Sequence, residues 1–378
     1  MTIIIIANYR KDRQESMNRF ANMLQRGYKS KGLHVVKIRP VSFFGNFYHQ
    51  TTHGIGKWFS YIDKWIFTPF LLIKIRLKYI FHSQVYYHIA DHSNSPYLFW
   101  LPKDKSVITC HDVLAIRGAL GHKDAWCPAS KTGVFFQRWI LRNLLKAKNI
   151  AAVSSTTLQQ LTALRTTASD SKNNWRVVYN GLNASFYRPA NDFINMMLKR
   201  TKIDTGKPFL LHVGSGLPRK NRLLLLKMLL ELGNDFKGSI VFAGKQPEKE
   251  LSDYINENKL KDKVKFVINP GHELLLALYA SCDAFIFPSW SEGFGWPVIE
   301  AQSCGTPVIA SSIQPMPEVG GDGAMYASPQ KPIEFSNAYR KLRNENFRSE
   351  LIEKGHKNTI RFSTSQMINE YLSFFNKS

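Results

Sequence analysis

Two glutamates, Glu292 and Glu300, bracket a glycine-rich loop and a proline in the segment Pro288-Ser-Trp-Ser-Glu-Gly-Phe-Gly-Trp-Pro-Val-Ile-Glu300. Gly293 and Gly295 let backbone N–H groups come close to a ligand. Pro297 suits the first turn of a helix, where its missing N–H costs nothing. The start of that helix offers the positive end of its dipole to an anion such as a diphosphate. Two carboxylates do not help to bind phosphate. They fit if each accepts hydrogen bonds from hydroxyls, one set on a sugar and the other on a ribose. Taken singly, Glu292 and Glu300 read as solvated surface acids. Their setting between a strand and a helix is what argues for a site.

The elements that must position these residues follow from hydrophobic periodicity. Ile3–Ala7, Val35–Ile38, Val85–Ile89, Val107–Thr109 and Ile150–Val153 read as buried strands, with helices over Ser16–Lys31 and Phe135–Leu145. The alternation restarts with strands Phe209–Val213, Ser239–Phe242, Val264–Val267, Ala284–Phe287 and Val308–Ala310. Helices fall at Leu223–Leu232, Glu273–Ala280 and Pro297–Ser303. This predicts an α/β protein of two parallel sheets, one over residues 1–188 and one over 205–360, with a polar linker over Pro189–Thr205. Residues 361–378 form a C-terminal tail, and Ile360–Phe375 reads as an amphipathic helix. Open parallel sheets bind ligands beyond the carboxyl ends of their strands. The loops after Val213, Phe242, Val267 and Phe287 are therefore expected at one edge, facing the other domain across a cleft. Asp91 and the pair His111-Asp112 also follow strands and are candidates for that edge.

Charge separates the two halves. The 378 residues carry 51 Lys and Arg against 28 Asp and Glu, a net +23. Residues 1–188 hold 27 basic and 8 acidic residues, net +19, and the remainder 24 and 20, net +4. A charge confined to one domain points to a polyanion: nucleic acid, an anionic membrane surface or a phosphorylated acceptor. Arg10, Lys11 and Arg13, just after the first strand, fit the last of these. Four cysteines without C-x-x-C spacing argue against a zinc ribbon or a disulfide framework and suit a reducing compartment. The apolar run Ile3–Ile6 is too short for a signal peptide.

The segment around Glu292 resembles the family-4 retaining glycosyltransferases of the GT-B fold. Their signature is Glu, seven residues, Glu, and Glu292 and Glu300 match it. The match extends through F-x-P-S-x-x-E-G-F-G-x-P-x-x-E-A to C-G-T-P-V-I-A and to Met316–Ala324. Ala152-Val-Ser-Ser, Val178-Tyr-Asn-Gly-Leu182, His212-Val-Gly-Ser and Pro218-Arg-Lys-Asn221 follow in family order. Thr109-Cys-His-Asp112 is the clearest match nearer the N-terminus. The resemblance implies two Rossmann-like domains, an N-terminal one on the acceptor and membrane side and a C-terminal one that binds the nucleotide-sugar, with a C-terminal helix over 361–378 that crosses back to the N-terminal domain, and transfer of a sugar from a nucleotide diphosphate-sugar. It implies Glu300 on the ribose, Glu292 on sugar hydroxyls, and the N–H groups of Gly293, Phe294 and Gly295 on sugar and phosphates. Lys220 would neutralise the leaving diphosphate and, with Glu292 and His111, make up the catalytic group; Gly214, Ser215 and Arg219 would complete the donor site. Asp91, His111 and Asp112 would face the acceptor. No metal and no cofactor are implied, and no dedicated base. Two departures from the family stand out. Ser215 occupies the place where many members carry an arginine, so Arg219 is the candidate for the second cation. Ala7-Asn-Tyr-Arg stands where many relatives have a glycine-rich loop.

Residues 57–82 mix Trp, Phe and Tyr with Lys and Arg, and their longest uncharged run, Trp65–Ile73, is too short to span a bilayer. Such a segment suits an interfacial helix on anionic headgroups. The expectation is an enzyme on the cytoplasmic membrane face that transfers mannose from GDP-mannose to a glycan or lipid-linked acceptor. A nucleic-acid-binding protein and a non-catalytic glycan-binding module are the competing readings; nucleic acid is not the expected partner.

Overall fold

The computed structural model describes residues 1–12, 14–48, 51, 54–165 and 173–376. Two six-stranded parallel sheets organise it. The first has the order β2-β1-β3-β4-β5-β6, from β1 (Thr2–Ile6), β2 (His34–Ile38), β3 (Val85–Ile89), β4 (Ser106–Cys110), β5 (Asn149–Ala152) and β6 (Asn174–Val177). The second has the order β12-β11-β10-β7-β8-β9, from β7 (Phe209–Gly214), β8 (Ser239–Gly244), β9 (Val264–Ile268), β10 (Ala284–Phe287), β11 (Val308–Ser311) and β12 (Ala324–Ala327). The central strands are continuous apolar runs because helices cover both faces of a parallel sheet. Ile3, Ile4, Ile5 and Ile6 are all fully buried.

The chain divides into two units, Met1–Gly121 with Pro128–Ala184 and Ser363–Ser378, and His122–Cys127 with Ser185–Phe362. The expected linker instead contains the helix Asn191–Leu198. Ile194, Met197 and Leu198 are buried at helical spacing, so this stretch packs as part of the second unit. The helix Thr364–Leu372 belongs to the first unit. Gly27 makes room for it: a Cβ there would lie 2.5 Å from Cγ1 of Ile368. The Tyr371 hydroxyl lies 2.8 Å from Oγ1 of Thr109, and Arg176 donates to the Glu370 carbonyl at 3.0 Å.

Two strands go beyond the sequence reading. β6 and β12 each close one edge of their sheets with four residues, Asn-Trp-Arg-Val, which polar residues interrupt, and Ala-Met-Tyr-Ala, which is short and only half-buried at its centre. Edge strands bury less surface, so their composition is under weaker demand. The aromatic segment 57–82 is helical almost throughout: Gly54–Ile62 and Thr68–Lys78 are α-helices joined by a π-helical turn over Asp63–Phe67.

Candidate functional site

Each sheet reverses its strand order once, between β1 and β3 in the first and between β7 and β10 in the second. At such a switch point adjacent loops run to opposite sides and leave a crevice beyond the strand ends. In the second unit the loops after β7 and β10 carry Lys220 and Glu292. Asn221 locks them together: in the left-handed region at φ +52°, it donates to the carbonyls of Pro288 at 3.1 Å and Pro329 at 2.9 Å.

Lys220 Nζ meets Glu292 Oε1 at 2.6 Å, and Arg219 Nη1 meets Glu292 Oε2 at 2.7 Å. Arg219 also donates to the Ser291 carbonyl at 2.9 Å, so its direction is defined. Lys220 and Glu292 are both buried. Burial alone pushes the Glu292 carboxyl up, but Lys220 and Arg219 more than offset it and hold it at about 2. Glu292 is therefore a carboxylate at neutral pH. Burial draws the Lys220 ammonium below its ordinary value, opposed mainly by Glu292. Two cations around one carboxylate leave the trio Lys220, Arg219 and Glu292 with net positive charge.

Glu300 is buried in the helix Trp296–Ser303 and accepts a hydrogen bond from the Tyr279 hydroxyl at 2.9 Å. Its charge acts on Lys220, which places the two in one electrostatic environment. Gly295 begins the helix at φ +102°, and a Cβ there would lie 2.6 Å from Cε of Met316, so only glycine fits. Phe294 is buried with its ring 5.6 Å from that of Phe362, which leaves its backbone as the part that a ligand can use. Gly214 ends β7, next to Ser215, and the aliphatic stem of Lys220 passes beside it.

His212, Tyr279, Asn221 and Trp290 have no assigned role in the sequence reading. His212 is buried, donates from Nδ1 to the Ile286 carbonyl at 3.1 Å, and is drawn down to about 3 by burial. It is a neutral imidazole beside Gly214. Trp290 stacks on Trp126 with ring centres 5.2 Å apart and 16° between planes. The signal for His212 lay in its own motif, His212-Val-Gly-Ser; Trp126 lies far away in sequence and gave none.

In the first unit, His111 follows β4, is buried, and lies 2.9 Å from the Ala90 carbonyl through Nε2. Burial lowers it, and Asp91 opposes that shift. Asp91 is engaged within the fold: it accepts from the Ser93 N–H at 2.9 Å and from the Asn8 amide. Burial raises its carboxyl, and His92, His111 and the Ser93 N–H bring it below the ordinary value overall. Asp112 accepts from the Leu114 N–H at 3.0 Å at the start of the helix Leu114–Ala119. Asp91 and His111 are thus together, with Asp91 acting as a turn cap. Arg10 and Lys11 form a 3₁₀ turn with Asp12, and Arg13 lies outside the described residues. Among the described residues no group of three or more His, Cys, Asp or Glu side chains could hold a metal ion, and no helix is long and apolar enough to cross a membrane.

Residues 195–358 match the family described as "Glycosyl transferases group 1". The chain is 30% identical over 172 residues to O-antigen chain mannosyltransferase B of Escherichia coli, covering 43% of this chain and 45% of that protein. It is 28% identical over 209 residues to O-antigen chain mannosyltransferase RfbU of Salmonella typhimurium, covering 55% of each. The chain spans about half the length of these curated relatives. Sucrose-phosphate synthase from Thermosynechococcus elongatus aligns over all of both chains with a TM-score of 0.73 at 18% identity. HepE from Anabaena, in complex with UDP and glucose, does so with a TM-score of 0.72 at 15% identity. WaaG, a glycosyltransferase involved in lipopolysaccharide biosynthesis, gives 0.69 at 13% identity. The likeness to these structures is one of fold, the GT-B architecture.

Proposed function

We propose that this chain, a GT-B fold whose residues 195–358 are a glycosyl transferases group 1 domain, transfers a sugar from a nucleotide diphosphate-sugar to an acceptor hydroxyl. The observation that carries the proposal is the cluster of buried Lys220 and Glu292 with half-buried Arg219 at the switch point of the second sheet. As the bond between the anomeric carbon and the diphosphate breaks, negative charge grows on the leaving oxygen. Fixed cations there stabilise the transition state more than the ground state. Lys220 and Arg219 supply that charge. An incoming diphosphate competes with Glu292 for both, and Glu292 then turns to the sugar hydroxyls. Glu300, oriented by Tyr279, takes the ribose. The new bond forms from the acceptor oxygen to the anomeric carbon on the face the diphosphate leaves, and the acceptor proton passes to the leaving oxygen. Configuration is retained and no protein base is required.

Mannose is the sugar we assign, on the names of the two curated relatives, and GDP-mannose the donor. The structural neighbour with UDP and glucose makes UDP-glucose the competitor. The acceptor is a glycan of lipopolysaccharide type, met at the cytoplasmic membrane face. Support for the membrane comes from the helical segment 54–78. Ile55 and Trp58 are exposed three apart on the first helix, Ile66 in the π-helical turn, and Phe70, Ile73 and Leu77 at spacings of three and four on the second, an apolar stripe there beside Lys74, Arg76 and Lys78. Calorimetry against GDP-mannose, UDP-glucose and UDP-N-acetylglucosamine tests the reading. Binding of one of them, lost in Lys220→Ala, is expected. Silence toward all, with tight salt-sensitive binding of oligonucleotides, would establish the competing reading.

A further inference from the structure

The geometry points to a second binding site, at the switch point of the first sheet, for a single uncharged sugar residue. For its place in the reaction it rests on the proposed function, as the seat for the end of an acceptor glycan. A cavity of about 220 Å³ opens beyond β1 and β3, between the loop of Asn8 and Tyr9 and the loop of Ser93 and Asn94. At roughly 30 Å³ per water it would hold about seven waters. One sugar ring fits that space.

Its lining suits hydroxyls. Gln14, Asn94 and Gln137 contribute amides that both donate and accept, as a sugar hydroxyl does. Trp65 adds an indole N–H that is buried and has no hydrogen-bond partner. A buried donor left unused is costly, and a ligand oxygen would relieve it. Tyr61 and Phe136 line the cavity with ring centres 4.4 Å apart and 46° between planes, and either ring offers an apolar face to the C–H groups of a pyranose.

The same lining disfavours phosphate. Among the described residues that line the cavity, Lys64 is the one cation, and it is paired with Asp12 at 2.5 Å. The pair is neutral overall, so from the described lining residues a phosphate would meet no net positive charge. The walls are also set before a ligand arrives. Asn8 donates to Gln14 at 2.6 Å and accepts from Asn94 at 3.0 Å. Tyr9 donates at 2.6 Å to Asp63, which also accepts the N–H groups of Phe44 and Gly45. A preformed site loses less entropy on binding.

The test is saturation-transfer NMR on the full chain with methyl α-mannopyranoside, methyl α-glucopyranoside and inorganic phosphate as probes. At least one glycoside should bind, phosphate should not displace it, and Gln137→Ala and Trp65→Phe should each weaken it fivefold or more. GDP and UDP binding, read by calorimetry on the same variants, should not change. No glycoside binding, displacement by phosphate, or indifference to both substitutions would overturn the inference. Nucleotide binding without glycoside binding would defeat this site and leave the proposed function standing. Glycoside binding without nucleotide binding would do the reverse.

Discussion

The two switch points have the same topology and opposite chemistry. Beyond β7 and β10 the loops bring two cations and a carboxylate into a largely buried, net positive trio. Beyond β1 and β3 the one cation among the described lining residues, Lys64, is neutralised by Asp12, and the remaining described lining is amide, hydroxyl, aromatic and, at Ile140, aliphatic. Strand order thus sets where a ligand can sit, and the loop residues set which ligand. The overall charge runs the other way: the half with the neutral cavity carries net +19. Its charge lies outside the cavity, on surfaces such as Lys57, Lys74, Arg76 and Lys78. Net charge and site charge are separate quantities.

The comparison can be broken most directly at Lys220. Lys220→Ala should lower turnover by about 10²–10³-fold, the usual cost of removing one transition-state charge partner. It should leave glycoside binding at the first switch point intact. Initial rates of donor consumption measure the first and NMR the second; equal losses in both would end the separation of roles.

Acid sharpens the contrast next. The Glu292 carboxyl is held near 2 against an ordinary 4.5, so its contribution to stability is present above pH 4.5 and lost as pH falls toward 2. That contribution is about 3 kcal/mol at 1.36 kcal/mol per pH unit. The melting temperature should fall across that window, and Glu292→Gln should flatten the fall. An unchanged pH profile in the variant would contradict the pairing.

Tyr279→Phe removes the hydrogen bond to Glu300, a bond to a charged group worth about 1.5–3 kcal/mol. Nucleotide affinity should drop about tenfold by calorimetry, with glycoside affinity unchanged. On the first unit's apolar stripe, Phe70→Ser should weaken sedimentation with anionic vesicles, while Lys74→Gln should cost about 1 kcal/mol and matter only at low salt. Vesicle binding indifferent to both would remove the membrane from the proposal. Trp126→Ala should have the smallest effect, a loss of about 0.5–1.5 kcal/mol from the stack on Trp290. It should show as a small drop in melting temperature.

Much of this was legible from residue order. Largely apolar runs announced ten of the twelve strands among the described residues, because buried parallel strands are apolar on both faces. The segment Glu292–Glu300 announced its loop and helix through Gly295 and Pro297, whose backbone demands are local. Less legible were β6, β12 and the helix Asn191–Leu198, which take their form from what they pack against. The roles of Tyr279 and Asn221 were hidden too, since each acts through a hydrogen bond to a residue remote in sequence.

The amino-acid order by itself determined two parallel sheets and a set of acids, glycines and a lysine placed at strand ends, because local backbone preference and hydrophobic alternation are written residue by residue. Only the tertiary structure decided that Arg219 shares Glu292 with Lys220, that Asp91 is consumed in capping its own turn, and that Asp12 neutralises Lys64. Charge pairing depends on distances between loops separated by tens of residues. Those distances exist only once the sheets have brought the loops together.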